Sequence, residues 1–144
     1  MCGFAGFISS EYSYNSERIL HQMSKTIIPR GPDDYGIWFD QDSKVGLAFR
    51  RLAILDLSSA GHQPMTSQSG RYVVAFNGEI YNHLELKHEI NLQFGPQSWE
   101  GRSDTEILLF LIEKYGLHDT LKKCVGMFAI ALWDRESNFL QIAR

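Results

Sequence analysis

The sequence predicts an α+β fold in which helices are layered on sheets. Two observations lead to this prediction. Short apolar segments with strand character occur along the whole chain, and the helical patterns are grouped between them instead of following each strand in turn. A chain of 144 residues with 44% hydrophobic residues is sufficient for one domain with a substantial core.

The first half of the chain is predicted to contain a strand, a helix and a series of strands. Residues 2–9, CGFAGFIS, form a short apolar run bounded by polar residues, which is typical of a buried strand. A helix with Ser16 as a candidate N-cap follows, because apolar residues recur at helical spacing. These residues are Ile19, Leu20, Met23 and Ile27. After a loop with two prolines at 28–36, three strands are predicted, in the segments GIWF, VGLAF and LAILDL.

The second half is predicted to contain one more strand, two helices and a final hairpin. The segment RYVVAFN has strand character, and GEIYN directly after it is predicted to be a turn. A short helix is expected from Asn82, with Glu85 completing a capping box. The segment 103–106, SDTE, is a second capping box before an apolar helix that ends at Gly116. The segments GMFAIALWD and NFLQIAR are predicted to pair as a hairpin.

Composition excludes several classes of function. The 14 basic and 17 acidic residues are interspersed, so nucleic-acid binding has little electrostatic support. No apolar stretch approaches the roughly 20 residues that span a bilayer. Two distant cysteines and five scattered histidines form neither a disulfide framework nor a metal site. We therefore expect a cytoplasmic protein without membrane or nucleic-acid partners and without a bound metal.

Cys2 allows two interpretations. It is either a small buried strand residue or, once Met1 is removed, an N-terminal residue that carries both a thiol and a free amine. A terminal amine has a reference pKa of about 7.7–8.0, so near neutral pH it can accept the thiol proton. Nucleophile and base would then belong to one residue. Considered alone, Cys2 favours the buried interpretation, because free cysteines are often core residues.

Asn77 and Gly78 also allow two interpretations. They are either an ordinary Asn-Gly turn or a pair of N–H donors that could hold an oxyanion. Arg50 and Arg51 lie in an apolar strand, where alternation sends them to opposite faces. One guanidinium would then point inward and need a carboxylate, which an internal aspartate or a ligand could supply equally well.

Asp104 follows the same pattern. It is either a carboxylate that favours the helix N-terminus beside Ser103, or a partner for a substrate ammonium, with Glu79 as a second candidate. Taken together, these groups indicate a function more clearly than any one of them does. A thiol with its own base, oxyanion donors, an arginine and two acids together suit an α-amino acid whose side chain ends in a cleavable carbonyl, and glutamine fits.

The chain resembles the N-terminal glutaminase domain of class II glutamine amidotransferases, in the asparagine synthetase-like branch. The stretches that carry this resemblance run in the family's order from residue 1 to the C-terminus. They are MCGFAGF, RGPDDYG, RRLAILDL, GHQPM, FNGEIYNH, RSDTE and GMFAIALWD. The resemblance implies an Ntn-hydrolase fold, a four-layer αββα sandwich of two antiparallel sheets covered by helices.

The resemblance also implies roles for individual residues. Cys2 would be the nucleophile after removal of Met1, forming a γ-glutamyl thioester, and Asn77 and Gly78 would form the oxyanion hole. Arg51 rather than Arg50 would bind the glutamine carboxylate. Glu79 and Asp104 would bind the α-ammonium group. The implied reaction is hydrolysis of L-glutamine to L-glutamate and ammonia, with no cofactor in this chain.

Two departures from the family pattern bear on domain organisation. A DRxGxKPLYY-like continuation is absent after residue 144, which leaves open an incomplete sheet, and the SGGxDS motif of an ATP-using synthetase domain is absent as well. We therefore expect residues 1–144 to be a truncated glutaminase domain. ATP and Mg²⁺ would belong to a synthetase domain in cis. The ammonia acceptor and a homo-oligomer are left open, as are two alternatives: an inactive fragment and a non-catalytic binding module.

Overall fold

The computed structural model describes residues 2–10, 15–53 and 58–144. In these ranges the strands are β1 (Gly3–Ile8), β2 (Asp34–Asp40), β3 (Val45–Arg51), β4 (Met65–Thr66), β5 (Tyr72–Ile80), β6 (Gly126–Asp134) and β7 (Phe139–Ala143). The helices are α1 (Ser16–Thr26), α2 (His83–Phe94) and α3 (Asp104–Leu121), with short 3₁₀ turns at Ile28–Arg30 and Ser59–Gly61. None of the helices in the described ranges is long and apolar enough to cross a membrane.

The strands form two antiparallel sheets. In the first sheet β3 lies between β1 and β2, and Gly3 pairs with Arg50. In the second sheet the order is β4-β5-β6-β7, and Asn77 pairs with Ala129. The predicted α+β class and the predicted final hairpin, β6 and β7, are therefore confirmed.

The two sheets pack face to face between layers of helices. Apolar side chains of β3, β5 and β6 meet between the sheets: Val45, Leu47, Phe49, Val73, Ala75, Ala131 and Trp133. Helix α1 covers the outer face of the first sheet, where Gly46 leaves space for Leu20. Helices α2 and α3 cover the outer face of the second sheet. This is the four-layer αββα sandwich that the resemblance implies.

Strand β5 separates two sets of side chains by strict alternation. Its even-numbered apolar residues, such as Phe76 and Ile80, pack under α2 and α3. Its odd-numbered residues Val73 and Ala75 pack against the first sheet. Because side chains alternate along a strand, Asn77 and Glu79 extend from the same face as Val73 and Ala75.

The predicted turn at residues 78–82 is wrong in its first part. Strand β5 continues through Asn77, Gly78 and Glu79 to Ile80 and pairs with β6 over this whole stretch. A Cβ atom on Gly78 would collide with the backbone oxygen of Met127. The glycine is therefore required by the close approach of two strands, and the Asn-Gly pair does not form a hairpin turn.

The capping boxes are only partly present. Asn82 occupies the N-cap position of α2, but its side chain instead bonds to the backbone of Lys123 and Val125 at 2.9 Å each. At α3, Ser103 Oγ accepts from Thr105 N–H at 3.2 Å, as predicted. The Glu106 carboxylate turns away from the cap and accepts from two loop N–H groups at residues 100 and 101.

Three further element predictions have mixed outcomes. Helix α1 begins at Ser16, but the N-cap position belongs to Asn15. The helical backbone of α3 is interrupted at Gly116, the predicted end, where φ is 76°, but the helix continues beyond it to Leu121. In the predicted strand LAILDL, Leu52 and Ala53 lie beyond the end of β3, and residues 54–57 lie outside the described residues.

At the end of the sandwich away from Cys2, an ion pair links the residue before β5 to the last residue of β6. Arg71 donates to both carboxylate oxygens of Asp134, with N···O distances of 2.9 and 2.7 Å. Asp134 is buried, and the Arg71 guanidinium lowers the pKa of its carboxyl to about 2. The pair therefore stabilises the fold whenever Asp134 is ionised.

Replacing Arg71 by methionine is expected to lower Tm by roughly 5 °C at pH 7, because a buried carboxylate loses its bidentate partner. The native pKa of Asp134 lies below the value of about 3.9 in an unfolded chain, so this stabilisation is present above pH 4 and is lost as the pH falls toward 2. Thermal melts from pH 2.5 to 7 should show the difference from the unaltered protein shrinking with acid. As a control, Lys122→Met should change Tm little, because Lys122 forms an exposed pair with Asp119. An effect of Arg71→Met that does not depend on pH would contradict a stabilising ion pair between Arg71 and Asp134.

Candidate functional site

All six residues for which the resemblance implies a role line one pocket at an end of the sandwich. They are Cys2, Arg51, Asn77, Gly78, Glu79 and Asp104. The pocket forms where the start of β1, the end of β3, the second half of β5 and the start of α3 meet. Its other lining residues are Leu52, Gly61, Gln63, Phe76, Ser103, Thr105 and Met127.

Cys2 is held by the side chain of Arg30 and by the backbone of Leu52. Its carbonyl oxygen accepts from Arg30 Nε at 3.0 Å. Its Sγ lies 3.5 Å from the carbonyl oxygen of Leu52 and accepts from the N–H of Leu52 at 3.3 Å. The residue is partly buried and packs at the edge of the cluster between the sheets. These contacts hold the side chain of Cys2 against Leu52, which lines the same pocket.

The two adjacent arginines lie on opposite faces of the first sheet, as alternation predicts. Arg50 Nε donates to Ser24 Oγ at 2.8 Å, and its guanidinium lies 4.6 Å from the centre of the Tyr35 ring. Arg51 is buried at the pocket, and its Nη1 donates to the carbonyl oxygen of Ser58 at 2.7 Å. Gly61 lies directly against this guanidinium, since a Cβ atom there would collide with Nη2.

The free edge of β5 contributes backbone groups to the pocket. Phe76 N–H donates to Gln63 Oε1 at 2.6 Å, and Ile80 N–H donates to Asp104 Oδ2 at 2.8 Å. In an antiparallel strand, alternate residues direct their backbone groups to the same side. The N–H of Gly78 therefore faces the same edge, between Gln63 and Asp104. The side chain of Asn77 reaches the pocket from the inter-sheet face, so two N–H donors come from adjacent residues.

Asp104 makes this part of the pocket favourable for a cation. The carboxylate is buried at the first turn of α3, and this burial raises its pKa. The neighbouring Glu79 carboxylate raises the pKa further, while the bond from Ile80 N–H and the nearby His83 oppose the shift. Two acids close together in a partly dry site favour a bound ammonium group, which would relieve their mutual repulsion.

The contacts of Gln63 are not predicted by the sequence, where the residue is part of the motif GHQPM. Gln63 is buried and bonds to both backbone groups of Phe76 and to Thr105. A lone glutamine beside a proline has no local pattern that predicts such contacts. A combination of histidine, cysteine and acidic side chains able to hold a metal is absent from the described ranges.

Comparisons with known proteins found a family model and several relatives that match the whole chain. The model of the glutamine amidotransferase domain family matches residues 1–144. The chain is 41% identical over its whole length to asparagine synthetase [glutamine-hydrolyzing] 2 of Bacillus subtilis and covers 19% of that protein. It is 37% identical to putative asparagine synthetase [glutamine-hydrolyzing] 2 of Methanocaldococcus jannaschii and covers 30% of it.

Among solved structures, the fold is similar to that of glutamine phosphoribosylpyrophosphate amidotransferase from B. subtilis. The TM-score is 0.66 at 19% identity, and the match covers 94% of this chain and 35% of the other. At this identity the similarity concerns the fold alone.

The chain spans less than a third of the length of the two asparagine synthetases from B. subtilis and M. jannaschii.

Proposed function

The chain belongs to the glutamine amidotransferase domain family, and from this premise we propose that it hydrolyses L-glutamine to L-glutamate and ammonia. One observation carries the proposal. A thiol, an amide side chain next to a glycine N–H, a buried arginine and a pair of acids share a single pocket. These groups are complementary to each polar group of glutamine.

Binding is proposed to use the charged side chains of the pocket. The α-carboxylate of glutamine pairs with Arg51, whose planar guanidinium suits a bidentate carboxylate. The α-ammonium group lies between Glu79 and Asp104, where it offsets the unfavourable burial of the Asp104 carboxylate. The side-chain amide then extends toward the sulfur of Cys2.

Chemistry is proposed to begin after removal of Met1. The freed amine of Cys2 accepts the thiol proton, and the sulfur forms a bond to the side-chain amide carbon of glutamine. The oxyanion receives hydrogen bonds from the Asn77 amide and the Gly78 N–H, each contributing about 3–4 kcal/mol in the transition state. The amine returns its proton to the departing ammonia as the carbon–nitrogen bond breaks. Water then forms the new carbon–oxygen bond and displaces the sulfur from the thioester.

The wider reaction is also a proposal, since the related synthetases are several times longer than this chain. Residues 1–144 would act as the glutaminase domain of an asparagine synthetase-like enzyme. The ammonia would pass to a synthetase domain in cis, where ATP and Mg²⁺ activate a carboxylate acceptor. Both of these cofactors would bind outside this chain.

A glutamate-release assay on two preparations tests the proposal. One preparation has Met1 removed, as verified by mass spectrometry, and the other carries an uncleavable extension ahead of Cys2. We expect hydrolysis of glutamine only in the trimmed protein, because a peptide bond consumes the amine. Equal rates would contradict the base assignment, and no hydrolysis by trimmed, folded protein would favour a non-catalytic binding module or an inactive fragment.

A methyl group at Gly61 is expected to weaken glutamine binding without unfolding the protein. The added Cβ in Gly61→Ala collides only with the guanidinium end of Arg51, which can shift. We expect KM for glutamine to rise roughly tenfold, with kcat changed little, because the carboxylate contact is made in ground and transition states alike. Steady-state kinetics measure this. Gly70→Ala is a control outside the pocket: its methyl group contacts no other atom but strains a backbone with φ of 77°, so it should lower Tm and leave KM unchanged. An unchanged KM in Gly61→Ala would argue against Arg51 as the carboxylate partner.

A further inference from the structure

Gln63 completes a strand ladder with its side chain. Oε1 accepts from Phe76 N–H at 2.6 Å, and Nε2 donates to the Phe76 carbonyl at 3.2 Å. These are the two hydrogen bonds that a facing peptide group would make. The register of β4 on β5, in which Met65 pairs with Val74 and Thr66 with Val73, places residue 63 opposite Phe76. The Gln63 side chain therefore extends the β4–β5 pairing by one hydrogen-bonded pair in place of the backbone.

The backbone itself has left the strand edge at this point. The carbonyl oxygen of Gln63 lies against Gly36 of the first sheet, where a Cβ atom would collide with it. In the continued register the next position, Gly61, would face Gly78, but Gly61 lies instead against the Arg51 guanidinium. The departure of the chain leaves the edge of β5 at Gly78 open to the pocket.

A third bond connects this edge to the start of α3. Gln63 Nε2 also donates to Thr105 Oγ1 at 3.3 Å, and Thr105 follows directly after Asp104. Asp104 in turn accepts from the N–H of Ile80 at 2.8 Å. The edge of β5 is thus fixed at residues 76 and 80, on both sides of Gly78.

We infer that Gln63 is a positioning residue of the glutamine site, which sets the Gly78 N–H and the Asp104 carboxylate at a fixed separation. This inference rests on the proposed function, because it assigns Gly78 to the oxyanion and Asp104 to the ammonium. A displacement of either group affects a different kinetic parameter. Moving the Gly78 N–H away from the oxyanion lowers kcat. Moving the Asp104 carboxylate away from the ammonium group raises KM.

The variant Gln63→Met tests the inference, with Ser67→Ala as a matched control. Ser67 is also buried, and its Oγ accepts from Tyr72 N–H at 3.1 Å on the same edge of β5, far from the pocket. Both variants should lower Tm. Only Gln63→Met should lower kcat, by about ten- to a hundredfold, with a rise in KM. A loss of Tm with kcat and KM unchanged would overturn the inference, since it would mark Gln63 as merely structural.

An independent measurement separates this inference from the proposed function. In ¹H–¹⁵N spectra of the folded protein without glutamine, Gln63→Met should shift the Gly78 and Thr105 amide resonances, and Ser67→Ala should leave them in place. An unmoved Gly78 resonance would overturn the positioning role. A shifted resonance in a protein that does not hydrolyse glutamine would refute the function and leave the positioning intact.

If Gln63→Met does not fold, Thr105→Val provides the test. It removes only the bond from Nε2 to the helix and keeps both bonds to Phe76. We expect a severalfold rise in KM for glutamine with a small fall in Tm, because one buried N–H of Gln63 loses its acceptor. An unchanged KM would contradict the connection between Gln63 and the ammonium end of the pocket.

Discussion

Replacing Cys2 by alanine is expected to abolish glutamine hydrolysis and to leave the fold in place. The substitution removes the only proposed nucleophile, so kcat should fall by at least about 10⁴-fold. The fold should persist because the lost sulfur bonds only weakly, to the backbone of Leu52. Glutamate release measures the first expectation, and circular dichroism together with calorimetric binding of glutamine measures the second.

The second cysteine provides a matched control for this experiment. Cys124 packs against the helical side of the second sheet, and its burial raises the pKa of the thiol to about 11. Such a thiol is protonated and inert near neutral pH, so Cys124→Ala should hydrolyse glutamine at the normal rate. A glutamine-mimicking electrophile should label Cys2 alone in trimmed protein. Hydrolysis that survives in Cys2→Ala would refute the nucleophile assignment.

Replacing Asp104 by asparagine is expected to have opposite effects on binding and stability. KM for glutamine should rise about 100-fold, because the ammonium group loses a buried charged partner. An asparagine oxygen can still accept from Ile80 N–H, so the start of α3 should remain in position. Steady-state kinetics and urea denaturation measure the two effects on the same preparation.

The stability effect follows from the direction of the pKa shift. Burial raises the pKa of Asp104 above its value in an unfolded chain, so the folded state binds the proton more readily. The free energy of unfolding therefore falls as the pH rises from the unfolded to the folded pKa of Asp104. Asp104→Asn removes the cost of burying an ionised carboxylate. The variant should be at least as stable as the unaltered protein at pH 7. Asp119→Asn, an exposed carboxylate on the same helix, should leave KM unchanged, and an unchanged KM in Asp104→Asn would reject the ammonium site.

The family and the class of enzyme could be predicted from motifs, and the match over residues 1–144 confirms both. Alternation predicted that Arg50 and Arg51 separate, since it follows from strand geometry alone. It could not decide which of them faces the pocket. That depends on α1 covering one face of the first sheet, which is a contact between distant segments.

The errors share one physical cause. The Asn77–Gly78 pair has the local preference of a turn, but the glycine is fixed by the approach of β6 and the strand continues. Asn82 has the preference of a cap, but its amide bonds to the chain just before β6. In each case contacts with a remote strand outweigh the local preference, and a single sequence contains no record of such contacts. Gln63 was missed for the same reason.

The alternation of β5 makes catalysis sensitive to how the chain has paired during refolding. A slip of one residue between β5 and β6 would exchange the two faces, turning Asn77 under the helices and Phe76 toward the first sheet. Such a molecule could be compact and rich in secondary structure, yet it would lack the proposed oxyanion donors beside the sulfur. The rate of glutamine hydrolysis per mole of refolded protein would therefore measure the fraction of molecules with the correct register. Circular dichroism cannot distinguish these molecules from those with a slipped register.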